Sequence, residues 1–410
     1  MKVIPPPRIT VETGCVAASL AVSMLLASLG TSIANIALPA LARGLSGSLS
    51  EVRWVIVAYL AGLTVSTLAA GQLGDRYGLR RILVAGLMLF AAASLASGLA
   101  SDLPSLVGAR MVQGIGAAAM VTLPLALTRE MAGEARLGRA MGLLGAVSAI
   151  GTALGPPLGG AIVAISGWRG VFLVLVPVAA AASLLAIASL PADGPRTRGT
   201  SCCSVIKVDA PIMTNLVVNL MVATVMMTTL VVGPFHLASG LGLTEPQAGL
   251  VMAVGPLISI AAGVPAGKLV DARGTKSTLR WGLTGLAAGA FLMALAAIAG
   301  HVAAYLCAVA VLTPGYQLFQ AANNMSTLAG VAQERRGTVS GLLGLSRNLG
   351  LIAGASVMAS LFAFSSGASH AAEVAPEAVR WGAAATFALA GGLMAVALMI
   401  VMAARPEPGR

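Results

Sequence analysis

Long apolar runs recur along the whole chain, and short polar stretches separate them. Each run is about 18 to 25 residues long, the length that a helix needs to cross a hydrocarbon core of roughly 30 Å. None shows the period-2 alternation of a barrel strand, so each run is predicted to be a membrane-spanning helix. The twelve predicted helices lie near residues 15–39, 54–74, 82–100, 105–127, 140–165, 170–190, 212–235, 247–267, 281–299, 303–325, 339–365 and 382–404.

The overall composition supports the same class. Hydrophobic residues make up 58% of the 410 residues and charged residues only 10%, and the mean hydropathy is +0.92. A water-soluble domain of this length would not stay dispersed with such a composition. We therefore predict an all-α polytopic protein whose partner is the lipid bilayer.

The net charge of +11 would also suit a protein that binds nucleic acid. Most of the 25 lysines and arginines, however, fall in alternate loops, and only Arg43, Arg53, Arg169 and Arg380 fall in the others. This asymmetry follows the positive-inside rule, so the basic residues set orientation and no nucleic-acid partner is expected. Both termini are predicted to lie on the cytoplasmic side of a bacterial-type inner membrane.

The chain shows an internal repeat. "GLLGAVSAIGTALG" from Gly142 and "GLLGLSRNLGLIAG" from Gly341 share glycines at offsets 0, 3, 9 and 13. We predict an N-terminal six-helix half at 1–190, a cytoplasmic loop at 191–211 and a C-terminal half at 212–410. Two repeated halves are typical of alternating-access transporters, whose substrate site lies between them, and each half already supplies the other's packing face, so a monomer is expected.

The segment "GQLGDRYGLRR" joins the second and third predicted helices, and "GKLVDARG" repeats part of it in the second half. Asp75 would pair with a nearby arginine or face a helix N-terminus, and either contact would latch one conformation. A plain turn with anchoring arginines is the alternative. The predicted gate residues are Gly71, Asp75, Arg76, Gly78, Arg80, Arg81 and Asp271.

The fifth predicted helix contains "GTALGPPLGG". Gly151, Gly155 and Gly159 recur every four residues and leave one face without side chains, so another helix backbone can approach closely. Pro156 and Pro157 lack amide donors and are expected to bend the helix. A simple packing face is the alternative, but it does not require two prolines.

The fourth predicted helix places Arg110 and Gln113 on one face. A charge within a span costs about 2.5–3.5 kcal/mol on insertion scales, so Arg110 needs a function or a route to water. Because Pro104 is only six residues away, snorkelling of the side chain to the outer surface is the alternative.

Taken together, segment 71–81, Arg110 with Gln113-Gly114, "GPPLGG" followed by "WRGVF", and "NIALP" resemble the motifs of the major facilitator superfamily, closest to its drug:proton antiporter branches. The resemblance implies a gate role for Asp75 and its arginines and a proton-relay or orienting role for Arg110. It also implies bending and occlusion at Gly155, Pro156 and Gly159.

The chain departs from that pattern in its first helix, where related exporters have an aspartate and this sequence has Gly30. None of the fourteen acidic residues falls at membrane depth, and His236, His301 and His370 all belong to outer ends or loops. Arg110 and Arg347 are then the only strongly charged groups in the predicted spans. The central cavity is therefore expected to be electropositive and better suited to neutral or anionic solutes than to strongly cationic ones.

Polar side chains form stripes on several predicted helices. The stripes are expected to line a wet cavity, with hydrogen bonds between helices as the alternative. The predicted cavity residues are Ser28, Ser32, Asn35, Asn219, Tyr316, Gln320, Asn323 and Arg347.

No motif predicts an enzyme, a cofactor or a metal site. "GVPAGK" from Gly263 is too short for a phosphate loop, and no Ser/His/Asp, Cys/His or metal-ligand spacing falls within the spans. The sequence predicts a proton-coupled exporter of drugs or small organic solutes. A carrier of a small organic anion or neutral metabolite is the first alternative, and a non-transporting membrane sensor or scaffold is the second.

Overall fold

The computed structural model describes residues 11–131, 134–193, 209–329, 331, 333–367 and 375–403. Every regular element within these ranges is a helix. The N-terminal half contains α1 (Val11–Ile36), α2 (Leu38–Gly44), α3 (Leu49–Val52), α4 (Trp54–Tyr77), α5 (Leu79–Leu99), α6 (Leu103–Met131), α7 (Glu134–Leu173) and α8 (Leu175–Ser189). The C-terminal half contains α9 (Ala210–Phe235), α10 (Glu245–Arg273), α11 (Thr275–Ala299), α12 (Val302–Leu328), α13 (Gln333–Ala353), α14 (Ala359–Ser365) and α15 (Pro376–Ala403).

Among the described residues, 11 helical stretches are long and apolar enough to cross a membrane. The stretch Ile150–Ser189 is 40 residues long and holds two of the predicted spans. Gly167, with φ +70°, separates them inside α7, because a left-handed backbone conformation interrupts the helix and is accessible to glycine. The predicted all-α membrane fold is confirmed.

The internal repeat appears as equivalent helix packing in the two halves. A Cβ built on Gly151 would lie 2.6 Å from the carbonyl oxygen of Leu25, so α7 approaches α1 backbone to backbone. In the same way, a Cβ on Gly350, at the same offset in the repeat, would lie 2.3 Å from the carbonyl oxygen of Leu220 on α9. The shared glycines therefore mark one helix contact that occurs twice. The predicted loop 191–211 lies largely outside the described residues, and its bounds stay a prediction.

The halves meet at one end of the bundle, which we call the closed end and define by the turns at 37–53, 100–102, 236–244 and 300–301. Arg43 forms an ion pair there with Glu245 of the other half. Arg53 donates to the backbone oxygen of Ser356 at 2.9 Å and to the Ser360 hydroxyl. These polar contacts between the halves all lie at this end.

Helices α7 and α10 also touch near the closed end. A Cβ on Gly249 would lie 2.5 Å from the carbonyl oxygen of Pro156, and one on Gly160 would lie 2.5 Å from the carbonyl oxygen of Glu245. One buried apolar cluster accordingly contains residues of both halves, among them Leu38 and Leu237. This contact depends on glycine, because any side chain would collide with backbone atoms.

The opposite end, which we call the open end, contains the turns at 77–79 and 273–275. Towards this end α10 exposes Leu257 and Val264, and α4 exposes Leu68 and Asp75. Near the closed end, the same helices have buried positions at Ala248 on α10 and Val55 on α4. The named side chains of α4 and α10 towards the open end are therefore not covered by the other half.

Replacing Gly249 with alanine is expected to destabilise the protein, because the added methyl group would overlap the Pro156 carbonyl. Overpacking of this kind costs about 1–3 kcal/mol. Gly263→Ala on the same helix is the matched control, since a Cβ there has open space and alanine is about 1 kcal/mol better than glycine in a helix. Thermal unfolding in detergent should lower the Tm only for Gly249→Ala, and equal Tm changes would contradict the contact.

Candidate functional site

Arg110 on α6 is fully buried and joins three helices of the N-terminal half. Its Nε donates to the carbonyl oxygen of Val55 on α4 at 3.1 Å, and its Nη1 donates to that of Gly30 on α1 at 3.2 Å. Nη1 also donates to Oε1 of Gln113 at 2.5 Å. The side chain therefore points into the helix bundle and does not snorkel to the surface.

The charge of Arg110 is surrounded by neutral groups. The guanidinium carbon lies 4.2 Å from the ring centre of Tyr59 and 5.6 Å from that of Phe172, which are favourable cation–π distances. Gln113 in turn donates to the Ser94 hydroxyl at 2.6 Å. Nη2 has no hydrogen-bond partner. Within the described residues, carbonyl oxygens and aromatic rings thus take the place of a counter-ion.

Gly30 meets Arg110 through its carbonyl oxygen, and the space that a side chain at this position would need is filled. A Cβ there would be 2.9 Å from Cζ of Phe90 and 3.2 Å from the hydroxyl oxygen of Tyr59. Both rings are fully buried. The absence of an acid is therefore matched by aromatic packing, and the site is built to hold Arg110 without a negative partner.

Helix α6, which carries Arg110, begins with a side-chain cap. Asp102 accepts from the backbone N–H of Ser105 at 2.8 Å, and the Ser105 hydroxyl donates back to the Asp102 carbonyl at 2.9 Å. Hydrogen bonds from Ser105 to the carboxylate lower the pKa of Asp102 below its usual value. This cap stabilises the first turn of α6 at the closed end.

Several predicted cavity residues form hydrogen bonds between helices. Ser28 shares a hydrogen bond of 2.6 Å with Ser148, and the Ser32 hydroxyl donates to the backbone oxygen of Gly151 at 3.4 Å. Asn219 of the other half donates to Ser346 at 2.7 Å. The structure therefore gives these side chains the alternative role, and contact with a solute stays a prediction for them.

Two predicted cavity amides are buried with unused polar atoms. Oδ1 of Asn35 has no partner, although its Nδ2 donates to the Thr31 carbonyl at 3.4 Å, and neither polar atom of the Asn323 side chain has one. An unsatisfied buried amide costs about 1–3 kcal/mol, so these groups are candidates for contact with water or solute when the bundle rearranges. Tyr316 and Gln320, on the same helix as Asn323, are partly buried.

Arg347 on α13 is exposed, in contrast to Arg110. Its neighbours on the helix, Ser346 and Gly350, are buried against α9. Of the two arginines in the predicted spans, only Arg347 presents an accessible charge in this conformation.

The predicted gate at the α4–α5 turn has an acid that sequence analysis overlooked. Asp193, just after α8, accepts from the backbone N–H groups of Arg80 and Arg81, both at 3.1 Å. Gly78 has φ +109°, and a Cβ there would overlap the Asp193 carboxylate. Asp193 therefore occupies the N-terminus of α5, the kind of place expected for Asp75.

The remaining predicted gate residues lie around the same turn and its repeat. Asp75 and Asp271 are exposed, and among the described residues neither has a hydrogen-bond or ion-pair partner. Arg76 lies over the Tyr77 ring at 5.2 Å, and Gly71 is partly buried. The structure thus places the two aspartates at the open end, and their gate role stays a prediction.

The predicted bending motif packs on two sides. Gly155 contacts Ser32, and a Cβ on Gly159 would lie 2.9 Å from the carbonyl oxygen of Ile33 on α1. Pro156 meets α10 of the other half. Helix α7 continues through both prolines and has non-helical backbone angles at Gly167, and a bend at the prolines stays a prediction. The motif therefore brings α1, α7 and α10 together near the closed end.

Comparison with known proteins gives matches over nearly the whole chain. The sequence model of the Major Facilitator Superfamily matches residues 20–355 and, in a second match, 214–410. The uncharacterized transporter YebQ of Escherichia coli (strain K12) is 28% identical over 404 residues, which cover 83% of this chain and 87% of that protein. The riboflavin transporter RibZ of Clostridioides difficile (strain 630) is 26% identical over 394 residues, 83% of this chain and 86% of that protein.

One further relative matches a shorter segment. The tetracenomycin C resistance and export protein of Streptomyces glaucescens is 37% identical over 164 residues, which cover 40% of this chain and 30% of that protein. Among solved structures, a bacterial homologue of the human lysosomal transporter Spinster, in an inward-facing and occupied conformation, superposes with a TM-score of 0.80 at 14% identity. The match covers 98% of this chain and 100% of that one.

Proposed function

The chain belongs to the Major Facilitator Superfamily, and from that membership we propose that it exports drugs or other small organic solutes in exchange for protons, by alternating access. It is an integral membrane protein and a transporter, with a small-molecule substrate rather than an enzymatic reaction. Proton exchange, export and the two-state cycle are the proposed parts.

The single observation that carries this proposal is the one-sided contact between the halves. Arg43, Arg53 and the α7–α10 glycines join the halves at the closed end, while α4 and α10 are exposed towards the open end. This is the geometry expected of one of the two states in alternating access. With the orientation predicted from the basic loops, the open end faces the cytoplasm.

The direction of transport rests on the α7 motif and on one relative. "GPPLGG" resembles the motif of antiporters, and the tetracenomycin C export protein supports export from its partial match. The riboflavin transporter RibZ instead favours the alternative, a carrier of a neutral or anionic metabolite. The lack of an acid near Arg110 is consistent with that alternative.

The charge of the substrate follows from the accessible groups. Each described acid lies in a loop or within four residues of a helix end, and Arg347 is an exposed cation on a spanning helix. Opposite charge attracts and like charge repels in a low-dielectric cavity. We therefore propose neutral or anionic solutes ahead of strongly cationic ones.

Flux in proteoliposomes under an imposed pH gradient tests the proposal. A lipophilic cation, a neutral antibiotic and an organic anion would be compared, with protein-free liposomes and a protonophore as controls. Gradient-driven movement of the neutral or anionic solute supports proton-coupled export of the proposed class. Solute exchange without any gradient effect would favour the uncoupled carrier, and no movement at all would favour the sensor.

Removing the Arg53 side chain is expected to weaken the contact between the two halves at the closed end. Arg53→Ala deletes the hydrogen bonds to the Ser356 carbonyl and the Ser360 hydroxyl, and a hydrogen bond to a charged group contributes about 1.5–3 kcal/mol. The equilibrium between states should shift at least about tenfold towards opening at this end. Glu245→Gln should shift it less, because exposed ion pairs contribute only about 0.2–1 kcal/mol.

The shift is measurable by alkylation of Ala248→Cys, a fully buried position near the closed end, in a protein whose native cysteines are replaced by alanine. Arg169→Ala is the matched control, because Arg169 also lies at the closed end but bonds within its own half, to the carbonyl oxygen of Ala100. Equal alkylation rates in Arg53→Ala and the control would contradict a closing role for Arg53.

A further inference from the structure

The sequence places His236 at an outer helix end, but the structure buries its side chain within a helical segment. It follows α9 directly and starts a π-helical turn, His236–Gly240, inside the candidate span Ala210–Gly240. The side chain is only 1% exposed, and neither ring nitrogen has a hydrogen-bond partner. Buried polar atoms are nearly always paired, so an imidazole with two unused nitrogens requires an explanation.

The groups around His236 are aromatic or positively charged. The ring stacks on Tyr305 of α12 with 6.2 Å between ring centres. A Cβ built on Gly240 would lie 3.1 Å from His236 Nδ1 and 3.4 Å from Arg380 Cγ, so α15 brings Arg380 alongside the imidazole. The Nε of Arg380 is also buried without a partner.

Two described carboxylates lie in the first turns of the helices that pack beside this niche. The carboxylate of Glu245 on α10 binds Arg43 across the halves, and Glu377 on α15 is exposed. A proton on His236 would add a second positive charge beside Arg380, and among the described residues the titratable side chain that stacks on the ring is Tyr305. Like charges held together away from water repel strongly, so the protonated ring does not suit this packing.

The niche is linked to the contacts that close this end. A short segment, 241–244, joins the π-helical turn to Glu245, and the backbone N–H of Leu243 donates to the oxygen of Leu237 at 3.0 Å. Leu237, next to His236, is fully buried in the apolar cluster that contains residues of both halves. Separation of the halves here would therefore disturb the segment that follows His236 and admit water towards the imidazole.

We propose that His236 is a proton-binding site whose occupancy favours the conformation open at the closed end. One proton from water on that side binds an unused ring nitrogen once the halves part, and it must leave before His236 is buried again beside Arg380. This chain has no acid at position 30, and His236 supplies it with a group that responds to external pH. The inference rests on the alternating access proposed above.

The test measures conformation rather than flux. Spin labels at Ser101 and Ala303, exposed positions of the two halves near the closed end, would be placed in a protein with Cys15, Cys202, Cys203 and Cys307 replaced by alanine. Distances would be recorded at about pH 7.5 and about pH 5.5, which span the usual titration of histidine. The population with the longer distance should rise at least about fivefold at the lower pH.

In His236→Gln this response should be lost, whereas His301→Gln, an exposed histidine at the same end, should keep it. Should His236→Gln fail to fold, Arg380→Gln provides the second variant. Removing the neighbouring charge lets the closed state hold the proton, so the response should shrink. An unchanged pH response in either variant, or none in the parent protein, overturns the proposal.

The two proposals fail separately. If the distance responds to pH through His236 but no solute moves in proteoliposomes, the transport proposal fails and the proton site stands. If a solute moves under the gradient while the distance ignores pH, the proton site alone is rejected.

Discussion

Replacing Arg110 with alanine is expected to reduce solute transport at least about 100-fold while leaving the helical fold in place, a loss equivalent to about 2.7 kcal/mol. The substitution removes the donors to the carbonyl oxygens of Val55 and Gly30 and to Gln113. These bonds connect α1, α4 and α6 at the core of the N-terminal half, where the Tyr59 hydroxyl also donates to the carbonyl oxygen of Ala27 at 2.9 Å. Without the Arg110 bonds, α6 loses its hydrogen bonds to the other two helices and the fixed arrangement that a conformational cycle requires.

The fold should survive because two contributions to the free energy of unfolding oppose each other. Each acceptor left unsatisfied costs about 1–3 kcal/mol. Removing a buried charge that has no counter-ion, however, also removes a desolvation penalty of several kcal/mol. The net change in stability is therefore expected to be small compared with the change in transport.

Arg110→Lys separates the charge from the hydrogen-bond geometry. Lysine keeps the positive charge but cannot reach three acceptors on three helices with the planar fork of a guanidinium. Transport by this variant should also be low. Flux per reconstituted protein, with Arg169→Ala as the control, measures both effects. Flux within about twofold of the parent in Arg110→Ala would contradict the assignment.

The fold could be predicted largely because helix length and apolarity are local properties of the chain. The repeated glycines were informative for the same reason, since Gly151 and Gly350 recur at equal offsets and both allow a backbone contact. The division between the fifth and sixth spans was visible as two apolar runs. That a single glycine, Gly167, interrupts the helix between them depends on a backbone angle that composition does not encode.

The site was harder to predict, because a polar stripe has the same spacing whether it faces water or another helix. Ser28, Ser32 and Asn219 were assigned to a cavity, and the structure shows bonds to Ser148, Gly151 and Ser346. The identity of the facing helix decides between these roles. The spacing of side chains within one helix does not reveal which helix they face.

Long-range pairs were missed for a related reason. Arg53 donates to Ser356, which lies 303 positions later in the sequence, and Asp193, which follows α8, accepts from Arg80 on α5. Arg43 and Arg53 appeared in the sequence only as loop charges of the predicted outer side. Their sign identified the side of the membrane, but their partners follow from how the two halves are docked in one conformation.

Restoring an acid at position 30 is expected to change the charge of the transported solute. Gly30→Asp alone should express poorly, because its Cβ would lie 2.9 Å from the buried ring of Phe90. Overpacking of a closed core costs about 1–3 kcal/mol. In the double variant Gly30→Asp with Phe90→Ala, the space left by the ring would accommodate a carboxylate next to Arg110.

The double variant should move a lipophilic cation under a pH gradient at least about tenfold faster than the parent, equivalent to about 1.4 kcal/mol. A carboxylate in the bundle attracts cations and also exchanges protons, whereas the parent offers a cation only carbonyls, aromatic rings and an arginine. Phe90→Ala alone is the matched control, because it opens the same space without adding charge. If the double variant transports the cation no faster than this control, the neutral surroundings of Arg110 do not determine substrate charge, and selectivity must reside in the C-terminal half, where Arg347 is exposed.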